Sequence, residues 1–485
     1  MIYLLFKKFA KVFTFIFLFN VYVNAYANEE ELEIVGTAVI LLETSTGRIL
    51  YERNIDELVY PASMIKVLTA IVLLDYLLPE DVIRVGNEIY YVPFGSSRAG
   101  HIYGEHITGL NLLRGLLLPS GNDTANIVAS HVSYVASGYE MPFSEAEEFF
   151  ANMMNERARQ IGANSSNFTN AHGFHNPYMK VTVRDLATIA MYALNINVIR
   201  DVASEISYVG YGLPWAYEGV PTTHFSWNNT NRLLVGEYYN PYAIGLKTGF
   251  HTPAGWTFTG AAYKDGIELV SVIAGSYSLR RWEDTNTLFN YAFENYEMRQ
   301  VHVGNNLVEE IHINNPRWGQ PNVAQLRSVS NFSYYLSEVE FNSIQKRIEF
   351  SLDNVYTRSG NETYYQNYYI DGEDYEMQQL SFVAPLFEGE VMGNVIYTLN
   401  GEEIFRDYLV LSHNVYEWSY ISSFLFVVDY LRENPFSIFG LSFILGVIFL
   451  LIVAVNVFSF FHRLRKGRST RASYSSRSKF KYTKH

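Results

Sequence analysis

Ser63 and Lys66 stand three residues apart in Pro61-Ala62-Ser63-Met64-Ile65-Lys66, and the largely apolar run Val67 to Leu78 follows. Residues three apart on a helix share a face, so this spacing stacks a hydroxyl on an amine. Pro61 closes the preceding segment and puts Ser63 at or near a helix start, where free backbone N–H groups and the positive end of the macrodipole lie. A serine becomes a nucleophile only beside a base, and the oxyanion it generates needs N–H donors. A Ser-x-x-Lys at a helix start supplies all of these. The spacing itself is common, and recurs at Ser343/Lys346, Ser476/Lys479 and Ser478/Lys481. Taken singly it reads as a helix cap with a surface lysine, so its neighbours decide.

Two further elements carry polar groups at telling positions. Leu110 to Leu118 reads as an amphipathic helix ended by Pro119, and Ser120-Gly121-Asn122-Asp123 then turns into a second helix over Ala125 to Val132. Such a turn aims a hydroxyl and an amide at one point, although Ser-x-Asn also occurs at Ser165/Asn167 and Ser226/Asn228. Lys247-Thr248-Gly249 follows Ile244-Gly245-Leu246 and occurs once in the chain. On an edge strand it presents a cation and a hydroxyl to a carboxylate, and the glycine leaves room for a substrate backbone. His172, in Asn170-Ala171-His172-Gly173-Phe174, reads as a structural histidine in a glycine turn rather than a general base.

The elements that must position these groups are legible in outline. Thr37 to Leu42 and Ile49 to Tyr51 read as a strand pair across a Thr46-Gly47 turn. Pro93 to Gly104 is loop-rich. Thr182 to Leu186 begins a capped helix running to Leu194. Trp256 to Ala262 and Leu269 to Gly275 are strands, and Arg280 to Tyr296 a closing helix.

With 485 residues the chain has room for two or three domains, and its lack of cysteine excludes disulfides, thiolate metal sites and a cysteine nucleophile. Lys7, Lys8 and Lys11, the apolar stretch Val12 to Val23 and Ala25-Tyr26-Ala27 form a signal-peptide pattern, with cleavage expected after Ala27. Near the other end, Phe436 to Phe461 is almost wholly apolar and long enough to span a bilayer. Arg463, Arg465, Lys466, Arg468, Arg471, Arg477, Lys479, Lys481 and Lys484 follow it with no acid between, which places the tail in the cytoplasm and the body outside. The net charge of −13 includes these basic ends, so the exported body is more acidic still, and nucleic acid is disfavoured as a partner.

Ser-x-x-Lys, Ser-x-Asn and Lys-Thr-Gly in this order form the set found in class A β-lactamases and penicillin-binding proteins. The wider wording resembles the low-molecular-mass D-alanyl-D-alanine carboxypeptidases: Pro61 to Lys66, Leu116 to Asp123, His172-Gly173-Phe174, Thr182 to Leu186, and Lys247 to Gly249 with Ala254-Gly255 beyond. It covers roughly residues 35–295. The resemblance implies an α/β (α+β) catalytic domain of the β-lactamase/transpeptidase type, a central antiparallel sheet with helices on both sides. It implies that Ser63 attacks the carbonyl between the terminal D-alanines of a peptidoglycan stem peptide. Lys66 takes the serine's proton, its pKa lowered by desolvation and by the charge of Lys247. Ser120 relays a proton to the leaving D-alanine, and Asn122 orients Lys66 and the substrate amide. Lys247 and Thr248 hold the terminal carboxylate, and backbone N–H groups of Ser63 and Phe250 bind the oxyanion. Penicillins acylate the same serine, and no metal or cofactor is implied. The alternatives with the same resemblance are an endopeptidase of peptide cross-links and a non-catalytic penicillin-binding scaffold. Two departures stand out. Phe250-His251 follows Lys-Thr-Gly where the family has a small polar or aromatic residue and then threonine. Met191 stands where the Glu-x-x-Leu-Asn element of class A β-lactamases has its glutamate, although Leu194-Asn195 is present, and this argues against that activity.

Beyond about Glu297 short alternating runs replace the helical pattern: 301–303, 308–313, 332–336, 346–352, 382–387, 393–399 and 404–411. They point to a small all-β domain, a sandwich, with Ala384 to Gly389 similar to the domain that follows the catalytic one in this family. Tyr364, Tyr365, Tyr368 and Tyr369 read as one face of a sheet. Trp418 to Tyr430 reads as an interfacial helix. The expected organisation is a signal peptide over 1–27, the catalytic domain over 28–296, the β-domain over 297–414, a juxtamembrane segment over 415–435, one transmembrane helix over 436–461 and a basic cytoplasmic tail over 462–485. The chain would thus be a single-pass protein of a bacterial cell membrane facing the wall. A full span with a long basic tail exceeds the usual amphipathic anchor of the family and points to a protein partner of the tail.

Overall fold

The computed structural model describes residues 32–213, 223–351, 355–357, 380–433 and 445–459. The expected signal peptide, the basic tail and the tyrosines at 364, 365, 368 and 369 lie outside them. Two compact units divide the described residues: one holds the chain up to Arg299 together with Ser333–Phe341, the other Gln300–Phe332 and the chain from Asn342 onward.

The first unit is built on five strands: β1 (Ala38–Glu43), β2 (Ile49–Arg53), β3 (Ala243–His251), β4 (Gly255–Lys264) and β5 (Ile267–Ser276). Their order in the sheet is β2-β1-β5-β4-β3, and all neighbours run antiparallel. The first strand therefore pairs with the last, Ala38 opposite Ala274 and Leu42 opposite Val270. All six residues of β1 are buried, because the sheet is covered on both faces. Side chains alternate along a strand. Ala38, Ile40 and Leu42 enter one core and Val39 and Leu41 the other.

The larger core packs α1 (Lys66–Tyr76), α2 (Gly109–Leu117), α3 (Asn122–Ser137), α4 (Phe143–Ile161), α5 (Val183–Leu194) and α6 (Asn197–Ser204) on one face. The smaller core packs Trp282, Leu288 and Phe289 of α7 (Arg280–Asn295) on the other. Residues 66–73 of α1 are all buried, which is why its sequence is apolar all round rather than in a stripe. Leu68, Ile71 and Leu73 are each fully buried, worth about 1.5–3 kcal/mol apiece. Local chemistry sets the helix starts: Thr108 accepts from the Asn111 N–H at 3.2 Å and Thr182 from the Asp185 N–H at 3.1 Å.

In the second unit seven strands form one sheet, in the order Gln345–Phe350, Val391–Leu399, Glu402–Leu411, Val323–Ser328, Leu307–Asn314, Leu380–Val383, Val355–Thr357. Its core gathers Ile311, Ile313, Ala324, Leu326, Phe382, Val395 and Leu409. The segment Tyr420–Glu433 is a helix, and Phe426 on it meets Trp318 edge-on at 6.2 Å. The apolar stretch 436–461 is described only over Leu445–Ser459, also a helix; among the described residues no single helix is long and apolar enough to cross a membrane.

Candidate active site

Ser63 lies in a short 3-10 turn, Ala62–Ile65, and Lys66 is the first residue of α1. In a 3-10 turn residues three apart eclipse, so the stacking foreseen from the spacing is tighter than in an α-helix. Lys66 Nζ lies 2.8 Å from Ser63 Oγ, 2.7 Å from Asn122 Oδ1 and 2.8 Å from the carbonyl oxygen of His172. Ser63 Oγ in turn lies 3.3 Å from the same carbonyl.

This geometry defines the proton chemistry. An ammonium has three N–H donors, and three acceptors use them all. A neutral amine keeps two donors and gains a lone pair. Of the three partners only Ser63 can reverse its role, since an amide oxygen and a carbonyl cannot donate. Loss of a proton from Lys66 therefore turns the serine O–H from the His172 carbonyl toward Nζ, which is the arrangement of a general base on its nucleophile.

The surroundings favour that state. Lys66 is fully buried, and burial together with the nearby Lys247 charge holds its pKa well below the ordinary lysine range, against the opposing pull of Asp123. Lys247 is likewise fully buried; burial, then the Arg281 guanidinium, lowers its pKa to about 7.

The Lys-Thr-Gly triplet sits on β3, an edge of the sheet, so one side of its backbone pairs with no strand. Thr248 Oγ1 is held by Thr230 Oγ1 at 2.7 Å, and Lys247 Nζ donates to the Thr248 carbonyl at 3.1 Å. Gly249 is required by packing as well as by access: a Cβ there would collide with Thr257 and come within 3.0 Å of the Ser63 nitrogen. The end of β3 thus runs beside the Ser63 N–H. The Phe250 ring stacks on Trp256, with centroids 4.2 Å apart, and is half exposed.

Ser120 has a left-handed φ of 63°, unusual for a residue with a Cβ. It is buried, and its hydroxyl makes no hydrogen bond among the described residues. Two residues on, Asn122 begins α3 and delivers its amide to Lys66. His172 acts through its backbone carbonyl. Its ring is a support: Nδ1 accepts from the Phe174 N–H at 3.0 Å and Nε2 lies 3.3 Å from Glu147 Oε1. Burial lowers the His172 pKa, with Glu147 opposing and Lys66 assisting. Gly173 beside it has φ 80°, and a Cβ there would run into the Ala62 carbonyl. Residue type gave no hint of that carbonyl's part, nor of Thr230 or Arg281. Among the described residues no group of three or more His, Asp or Glu side chains is placed to hold a metal ion.

Residues 24–278 match the family described as D-alanyl-D-alanine carboxypeptidase. The D-alanyl-D-alanine carboxypeptidase DacF of Bacillus subtilis is 25% identical over 343 residues, covering 68% of this chain and 82% of that one. The crystal structure of the D-alanyl-D-alanine carboxypeptidase DacD from Francisella tularensis superposes with a TM-score of 0.59 at 21% identity, over 80% of this chain and 96% of that one. That of penicillin binding protein 5 from Haemophilus influenzae does so with a TM-score of 0.55 at 23% identity, over 80% and 100%. At these identities the two structures speak to the fold.

Proposed function

The chain belongs to the D-alanyl-D-alanine carboxypeptidase family, and on that premise we propose how its residues perform the reaction. It is a serine-type hydrolase that removes the terminal D-alanine from peptidoglycan stem pentapeptides, and penicillins bind it covalently. The observation that carries the assignment of roles is the three-way grip on Lys66 by Ser63, Asn122 and the His172 carbonyl in a buried site.

The substrate lies along the unpaired edge of β3, its terminal carboxylate toward Lys247 and Thr248. Ser63 Oγ attacks the scissile carbonyl while its proton passes to the neutral Lys66 amine. The oxyanion is held by the N–H groups of Ser63 and Phe250; the proximity of the Gly249 backbone to the Ser63 nitrogen supports this pairing. Collapse breaks the C–N bond, and the proton returns from Lys66 through Ser120 to the departing D-alanine nitrogen. Water, with Lys66 again as base, then hydrolyses the ester and frees Ser63. A synthetic pentapeptide and a fluorescent penicillin test the reading together. Wild type releases D-alanine and becomes labelled, whereas Ser63→Ala, folded to the same melting temperature, does neither. D-alanine release that survives in Ser63→Ala would refute it.

The placement of the enzyme is also a proposal. The β-rich region after the catalytic domain acts as an all-β spacer, and the chain is exported by its first 27 residues and spans a bacterial cell membrane once through 436–461, with 462–485 cytoplasmic. Helix Tyr420–Glu433 supports this by exposing Tyr420, Ile421, Phe424 and Leu425, at least half of each side chain, just before the apolar segment. A chain ending at Glu433 is expected to leave the integral-membrane fraction; its unchanged retention after alkaline extraction would count against the span.

A further inference from the structure

Asp123 lies next to Asn122 on the first turn of α3, yet its carboxylate serves the loop opposite. It is 1% exposed. Oδ1 accepts from the Ala99 N–H at 2.7 Å, and Oδ2 from the Gly100 and His101 N–H groups at 2.8 and 3.2 Å. From its own helix it takes only the Thr124 N–H, at 3.0 Å. An ordinary helix-start acid caps its own turn; three of these four donors lie 22 to 24 residues away. Among the described residues no lysine or arginine forms a salt bridge with it, so these N–H groups are what offsets the burial of its charge.

The same loop grips the turn before Asp123. Ser97 Oγ donates to the Ser120 carbonyl at 2.6 Å, and the Ser97 carbonyl accepts the Asn122 N–H at 2.9 Å. The loop is itself fixed from behind, where Trp227 Nε1 donates to the Ala99 carbonyl at 2.8 Å and the His101 ring bridges Glu105 and Thr124. The left-handed backbone at Ser120 is strained for a residue with a Cβ and persists only where its surroundings over-determine it.

We propose that Asp123 is a positioning residue for the reaction: its carboxylate clamps the Ser97–His101 backbone onto the Ser120–Asn122 turn, and so fixes where Ser120 and Asn122 present their side chains to Lys66 and the substrate. The clamp rests on the roles given to Lys66 and Asn122 above. It also bears on ionisation, since the Asp123 charge favours the Lys66 ammonium, whereas Lys247 and the buried His172 ring face Lys66 without doing so.

The test compares Asp123→Asn, Asp123→Glu and Ser97→Ala with wild type in the full chain, following D-alanine release and acylation by a fluorescent penicillin across pH. Asp123→Asn is expected to lower kcat by about 100-fold with little change in KM, the effect of a catalytic group displaced by about 1 Å. It also moves the acid limb of kcat/KM to lower pH, because Lys66 loses the charge that favoured its protonated form. Asp123→Glu keeps the charge, so kcat falls while the limb stays. Ser97→Ala gives a smaller fall in kcat with the limb in place. A folded Asp123→Asn with wild-type kcat and an unmoved limb overturns the proposal, as does a loss of activity that only tracks its folded fraction. Should Asp123→Asn not fold, an unchanged kcat in Ser97→Ala overturns it. A wild type that is acylated but releases no D-alanine fails the carboxypeptidase reading instead, and the acylation profiles still decide on Asp123.

Discussion

Replacing Asn122 by aspartate tests whether Lys66 is the base, because it alters the charge on one of its three partners and little else. Asn122 Oδ1 accepts from Lys66 Nζ at 2.7 Å in a buried site. Two opposite unit charges about 4 Å apart attract by about 4 kcal/mol at an effective dielectric constant of about 20, and desolvating the new carboxylate takes back a part. A net gain of about 3 kcal/mol for the ammonium lowers the free-amine fraction by about 100-fold wherever Lys66 is mostly protonated. Asn122→Ala acts in the opposite sense, removing an acceptor from a charged donor, a loss of about 1.5–3 kcal/mol to the ammonium. The assay is the second-order rate of Ser63 acylation by a fluorescent penicillin, measured by stopped flow across the pH range in which the protein stays folded. The acid limb should move to higher pH in Asn122→Asp and to lower pH in Asn122→Ala, with the plateau depressed in both by lost orientation. If both variants are slow and both limbs stay where wild type has them, Asn122 acts on the substrate alone, and Lys66 is not the group whose deprotonation starts the reaction.

Lys247 gives a stability prediction. Its folded-state pKa of about 7 lies below the model-compound value of 10.5, so between them the unfolded chain binds the extra proton and this group's contribution to stability rises with pH, by about 1.4 kcal/mol per pH unit at most. Lys247→Met should therefore be more stable than wild type below about pH 7, with the advantage fading toward pH 10.5; denaturant unfolding at a series of pH values measures it. Gly173→Ala forces a Cβ toward the Ala62 carbonyl at a positive φ and should lose more than about 1 kcal/mol of stability. Because that collision displaces the Ser63 turn, penicillin labelling of the folded fraction should slow as well; labelling at the wild-type rate would show that the turn tolerates the shift. Leu68→Ala, at a fully buried position of α1, should cost about 2–5 kcal/mol in thermal unfolding, with labelling per folded molecule preserved.

Much of the catalytic domain was legible because its signals are local. The Thr182 cap, the strand runs at 256–262 and 269–275 and the three-residue step from Ser63 to Lys66 are each written within a few residues, and each appears where its pattern placed it. Elements without such a signal went unread. Helix α4 carries no motif. Strand Val323–Ser328 has a single β-branched residue, Val323, and is a strand because neighbours pair with it on both sides. The contact of His172 with Lys66 was hidden for a different reason: it is made by the backbone carbonyl, and every residue has one.

The residue types and their spacing determined on their own that a serine, a lysine, an amide and an edge cation were available, and that the first two would stack. Whether those groups can react was decided only in three dimensions. Lys66 finds its other partners 56 and 106 residues away, and it can give up a proton because the fold buries it beside Lys247. In the unfolded chain both lysines are ordinary ammonium ions in water. Proton affinity follows solvent access and the distance between charges, and neither is fixed until the sheet and its helices close around them.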